Sequence, residues 1–174
     1  MNVHEIDWRI DPLYAVIVGI DAGLASIGAR IDREPGFDGL TASEHAEPLF
    51  GLGFVAAQTY ALGTVSDLNR IRNSRGKPAL KNFECYKCDP ITLIGKVTRI
   101  EVICATANYF KHHDEWPGWP ANETTKTLSR VGITQTSGFP CSEATELFCG
   151  KSWEFVVVHQ VVKEWRVHVL NSLR

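Results

Sequence analysis

DPITLIGKVTRIEVICATANYFKHHDEW, residues 89–116, decides the fold. Asp89 followed by Pro90 reads as a helix start: a carboxylate accepts from the free N–H groups of a first turn, and proline at the first helical position gives up no needed donor. Trp116 before Pro117 reads as the stop. Between them Leu93, Val97, Ile100, Cys104 and Ala107 recur every three or four residues, the spacing of one buried helix face. A second stripe, Glu101, Asn108, His112 and Glu115, carries a carboxylate, an amide, an imidazole and another carboxylate along a neighbouring face. This is the densest set of potentially chemical side chains in the chain, so function is expected here.

Outward from that helix the same period recurs. Asp11 and Pro12 repeat the start signal, and Leu13, Ile17, Ile20, Leu24, Ile27 and Ile31 mark a helix ending near Asp32. Its glycines, Gly19, Gly23 and Gly28, each cost about 1 kcal/mol against alanine, so close contact with another helix is expected at them. A second helix is expected from Glu47 and Pro48, with Phe50, Phe54, Ala57, Ala61, Thr64, Leu68 and Ile71 on its buried face, forming an antiparallel hairpin with the first. Short helices are expected after Asn122 and from Ser142 to Gly150. In the last segment the valines favour a strand, but Val158, Val161, Trp165, Val169 and Leu173 keep a helical period, and Ser152 is the expected cap. The expectation is a single all-α domain over residues 1–174, a bundle of four main helices with short accessory ones and the 89–116 helix at its centre. An α+β domain with the last segment as an edge strand is the alternative.

A chain of 174 residues is long enough to bury a core. A net charge of −2 excludes a broadly basic nucleic-acid coat. No uninterrupted apolar run of bilayer length stands out and the N-terminus lacks the pattern of an export signal, so a cytoplasmic chain with no membrane partner is expected. Five cysteines, an odd number, argue against a disulfide framework. Cys85 and Cys88 form a C-x-x-C pair, which is half of a zinc site. Cys141, Cys149, His112 or His113 would have to complete it, and buried thiols are the simpler reading. His45, His159 and His168 have no metal-ligand spacing.

Between the second helix and residue 89, RIRNSRGKPALK gathers Arg70, Arg72, Arg75, Lys77 and Lys81 around Gly76 and Pro78, which reads as a basic loop. Such a cluster neutralises phosphates or is simply solvated, and Arg70, Arg72, Arg75 and Lys77 are the candidate RNA contacts. In WPGWP, Trp116 and Trp119 are expected to cap the core. Lys111, His112 and His113 lie where cations also satisfy a helix C-terminus, so capping and packing compete with catalysis as their explanation.

The run ANYFKHHDE, residues 107–115, resembles the HEPN superfamily, small all-α bundles with a late-helix motif of arginine, a polar residue such as asparagine, three further residues and histidine. Asn108, Tyr109, Phe110, Lys111 and His112 follow that pattern, while Ala107 stands where the family has arginine. The resemblance implies action on RNA, often at a homodimer interface and in toxin–antitoxin or phage-defence systems, without metal or cofactor. RNA cleavage of that kind needs a proton carrier and a cation on the phosphate. His112 is expected as the first, Lys111 as the second, and Asn108, one turn earlier, as the group that orients the ring. Lysine does not reproduce the arginine fork. The competing expectation is therefore a non-catalytic HEPN-like module that assembles with a protein partner.

Overall fold

The computed structural model describes residues 3–174 and is all-helical: among them there is no strand, only one isolated bridge between Thr92 and Thr98. Seven α-helices follow in order: α1 (Ile10–Ile31), α2 (Gly39–Ser74), α3 (Asn82–Tyr86), α4 (Arg99–His112), α5 (Glu123–Arg130), α6 (Pro140–Cys149) and α7 (Val156–Leu173). The valines of the last segment are therefore helical, and Val158, Val161, Trp165 and Val169 are all buried.

At the centre stands α2, 36 residues long, not the 89–116 segment. It starts at Gly39 rather than at Glu47, because the Asp38 carboxylate accepts from Thr41 N (2.9 Å) and nucleates the helix a full two turns earlier. Pro48 consequently lies inside the helix instead of at its start. The expected stripe from Phe50 to Ile71 is fully buried. Along it α1 runs antiparallel: Arg9 pairs with Asp67, Gly23 meets Leu49 and Arg30 reaches His45.

Close packing occurs at the glycines of α2. A Cβ at Gly51 would fall inside the Phe110 ring of α4, and one at Gly53 inside the Phe155 ring before α7. In α1 only Gly23 faces a neighbour, while Gly19 and Gly28 face open space. Helix propensity marks glycines as costly but does not decide which helix turns them inward.

The largest correction is in the 89–116 segment. Its helix begins at Arg99, because Gly95 (φ 71°) and Lys96 (φ 60°) are left-handed and a right-handed helix cannot run through them. At Gly95 the backbone lies so close to Arg130 O that no Cβ fits. The helix starts instead in a capping box: Thr98 Oγ1 accepts from Glu101 N (3.1 Å) and Glu101 Oε2 accepts from Thr98 N (2.9 Å). Val97, Ile100, Cys104 and Ala107 are buried as expected, with Leu93 half-buried in the turn before them. A short 3₁₀ turn, His113–Glu115, then leads to extended Trp116, where the helix is expected to stop.

Two helices are capped from elsewhere in the fold. Asp21 of α1 accepts from Phe155 N (2.7 Å) and Val156 N (3.0 Å), opening α7, so Ser152 is not its cap. Glu47 of α2 accepts from Cys141 N (2.6 Å) and Ser142 N (2.9 Å), opening α6 two residues before the expected Ser142. Burial pushes the Glu47 carboxyl above its ordinary value, against the pull of those two amides.

The helices over Val3–Ile31 and Gly39–Ser74 are each long and apolar enough to cross a bilayer by length and composition. This corrects the expectation that no segment is, because glycines and alanines sustain apolarity without an unbroken run of large residues. A buried core helix meets the same criterion, and most of the apolar window of α2 is inside the fold. α1 is different: Tyr14, Val16 and Val18 are all exposed on it.

Candidate functional site

The polar stripe of α4 survives, but its members are bound differently from expectation. Asn108 does not touch the His112 ring. Its Oδ1 accepts from Gln58 Nε2 (2.9 Å) of α2, and the same amide donates to Cys104 O (3.2 Å). Lys111 Nζ donates to Gln58 Oε1 (2.8 Å). Gln58 is thus a buried polar hub holding Asn108 and Lys111 in place. Sequence reasoning missed it, although a glutamine between Ala57 and Ala61 on an otherwise apolar face is a visible signal.

His112 has a carboxylate partner: its Nδ1 lies 3.3 Å from Glu115 Oε2 across the end of the helix. The imidazole is 47% exposed, so the ring is partly open to solvent. His113 is turned the other way. Its Nδ1 lies 3.1 Å from Phe110 O, its Nε2 3.2 Å from Asp114, and its ring stacks on Tyr109 at 4.9 Å. With Glu47, Pro48 and Tyr109 it lines a cavity of about 410 Å3. Trp116 and Trp119 close over Tyr109 at 6.0 and 5.8 Å, and burial raises the Tyr109 phenol to about 12.

Ala107, at the motif's arginine position, is completely buried in the core. An arginine there would have to enter apolar packing, so this backbone does not present the position to a phosphate. Arg99, the one arginine of α4, is committed: Nε and Nη2 donate to Asp89 (3.0 and 2.9 Å) and Nη1 to Glu164 (3.1 Å). Lys111 is left as the cation beside His112 on the helix.

The basic segment is brought together, but elsewhere. Arg70 and Arg72 belong to α2, which continues to Ser74, so the loop itself starts at Arg75. Arg72 donates to Pro78 O (2.9 Å) and Leu173 O, Lys77 to Arg174 O (2.9 Å), and Arg75 pairs with Glu5 (3.7 Å). Three of the four candidate RNA contacts therefore tie the end of α7 and the N-terminal turn to α2. Arg70 lines an exposed hollow with Trp8 and Arg9. Since Phe110 packs at Gly51 and Arg72 lies 21 positions along the same helix, the basic patch and His112 are separated by about 30 Å at 1.5 Å per residue.

Of the cysteine pair, Cys85 belongs to the core and Cys88 packs half-buried against it. Cys85 is fully buried, its thiol raised to about 11 by burial, and Cys88 Sγ donates to Glu84 O (3.2 Å). Among the described residues no three His, Cys, Asp or Glu side chains converge as a metal site would require. Cys104 is likewise a core thiol, raised to about 12 by burial.

At the end of α4, then, the arrangement supplies one solvent-facing imidazole backed by a carboxylate, one anchored lysine and one anchored amide, all within residues 108–115. Compared against protein-family models, curated proteins and solved structures, the chain finds no match in any of the three.

Proposed function

We propose that this chain is a HEPN-like helical bundle that acts on RNA as a metal-independent endoribonuclease in a toxin–antitoxin or phage-defence setting. The observation that carries the reading is the His112–Glu115 pair at the exposed end of the α4 polar stripe. A carboxylate on one ring nitrogen sets the tautomer and leaves the other nitrogen to take a proton from a ribose 2′-hydroxyl and return it to the leaving 5′-oxygen. Lys111 is the phosphate cation. Asn108, held by Gln58, is a donor to the substrate rather than the orienter of the ring. As a homodimer, two such stripes would double the donors around one phosphate.

A second reading is favoured by Ala107. With the arginine position buried and Lys111 already bonded to Gln58, the same bundle serves as a non-catalytic module that binds RNA or a protein partner.

The two readings separate in one experiment. Purified protein in chelator is incubated with labelled RNA, alongside His112→Ala and Glu115→Gln. The enzyme reading expects cleavage in wild type, its loss in His112→Ala and a reduced rate with altered pH dependence in Glu115→Gln, all with unchanged helical circular dichroism. Cleavage that survives His112→Ala removes His112 from the mechanism, and no cleavage by wild type leaves the module. Sedimentation at micromolar concentration that shows only monomer mass removes the paired site.

A further inference from the structure

A cleft of about 480 Å3 opens between α3, α4 and α5, within the roughly 300–1,000 Å3 of small-ligand pockets. From α4 it takes Glu101, Cys104, Ala105 and Asn108, the same helix face that carries His112 one turn further on. Tyr86, packed on Trp165 at 6.0 Å, gives it a fixed aromatic wall. Phe83, on α3, stands at its mouth and is 53% exposed, although phenylalanine in a solvated five-residue helix gains nothing from that position. Lys81 Nζ and Lys87 Nζ lie 5.9 and 5.8 Å from that ring.

Among the described residues no ion pair joins the polar groups that line the cleft, although Lys87 and Arg130 both act on the Glu123 carboxylate at longer range. Asn108 Oδ1 is taken by Gln58, so the amide offers the cleft its Nδ2 donors. Glu101 uses Oε2 in the capping box and keeps Oε1 as an acceptor. Among the described residues neither Lys87 nor Arg130 forms an ion pair. Glu123 is the acid nearby, and its closest cation is Lys126 at 3.1 Å. A planar ligand with both donors and acceptors and an attached anion satisfies all of these at once. A purely apolar ligand would strand the amide and the carboxylate, and a bare anion would leave the aromatic wall unused.

We infer that this cleft seats one unpaired nucleotide of single-stranded RNA, its base between Phe83 and Tyr86 and bonded to Asn108, its phosphate on Lys87 and Arg130. The inference rests on the RNA-acting reading above and names its substrate class. A base held there places the next phosphate toward Lys111 and His112, so the cleft selects for single strands, since a paired base cannot enter it.

The test uses the full chain. Binding of a fluorescent single-stranded RNA, the matching duplex, the four nucleoside 5′-monophosphates and inorganic phosphate is measured for wild type, Phe83→Ala, Lys87→Ala with Arg130→Ala, and Lys151→Ala, an exposed lysine outside the cleft. Expected is preference for the single strand over the duplex and competition by at least one mononucleotide but not by phosphate at equal concentration. Affinity should fall roughly tenfold in Phe83→Ala and in the double variant, with Lys151→Ala near wild type. Both cleft variants alter exposed or rim side chains, and an unchanged unfolding midpoint verifies their fold. Equal affinity for duplex, competition by phosphate alone, or no effect of Phe83→Ala overturns the inference. Binding with these signatures but no RNA cleavage retains the cleft and sinks the nuclease. Cleavage with binding untouched by the cleft variants does the reverse.

Discussion

Asp89 and Arg99 form a two-pronged ion pair inside the protein, with Arg99 Nε on Oδ2 at 3.0 Å and Nη2 on Oδ1 at 2.9 Å, and the Asp89 side chain wholly out of solvent. The aspartate that looks like a helix cap by sequence is instead the anchor that pulls the loop from residue 89 back onto the first turn of α4. Removing one partner of a buried pair strands the other charge. Asp89→Ala is expected to cost about 3 kcal/mol, at the low end of the usual 3–5 because Arg99 keeps the half-exposed Glu164. A double change, Asp89→Leu with Arg99→Met, should recover most of that loss in urea unfolding. A double variant weaker than the sum of both singles would refute the account.

Asp21 caps a helix that begins 135 residues later, with two backbone donors on one carboxylate. Asp21→Ala should destabilise the fold by about 1–2 kcal/mol, and Asp21→Asn by less, since an amide oxygen still accepts one of the two bonds. Amide hydrogen exchange should accelerate at the first turn of α7 before anywhere in α2. Uniform acceleration would argue against a local cap.

Two glycines in helices are expected to respond with opposite signs. At Gly51 an added methyl meets the Phe110 ring of α4, so Gly51→Ala should cost about 1–3 kcal/mol. At Gly19 nothing lies within 4 Å, and Gly19→Ala should stabilise by about 0.5–1 kcal/mol through helix propensity alone. Paired thermal melts check both, and a destabilising Gly19→Ala would mean that α1 has a partner on that side.

His159 titrates against folding. Burial, then the Lys163 ammonium, hold its imidazole below the ordinary 6.5, its Nε2 is buried without a partner, and its ring lies 5.2 Å from Tyr14. Above pH 6.5 the ring is neutral folded or unfolded. As pH falls through 6.5 the unfolded chain takes the proton first, so stability declines until the lower folded value is passed. Denaturation midpoints of His159→Phe should therefore fall less than those of wild type between pH 7.5 and 5.5, and parallel declines would exclude this group.

The α4 stripe shows how far local reading reaches. That Ile100, Cys104 and Ala107 are buried, and that Glu101, Asn108 and His112 share a side, follows from a rise and rotation every helix has, so spacing alone sufficed. Where that helix starts was ambiguous, because Asp89–Pro90 and Thr98 with Glu101 are both valid start signals. A backbone approach between Gly95 and Arg130, 35 residues apart, excluded the first. The partners of the stripe were equally out of reach. Gln58 holds Asn108 and Lys111 from another helix, and Arg72 and Lys77 are used up on the end of α7.

By itself, then, the sequence determined an all-α chain, the buried faces of its long helices and the row of side chains on α4, because periodicity is a property of neighbours a few residues apart. Only the tertiary structure decided that α2 is the axis, that Asp21 and Glu47 cap distant helices and that the basic segment lies far from His112. Those outcomes depend on which side chains from remote segments meet, and a buried charge or amide bonds to whatever the packing brings within about 3 Å of it.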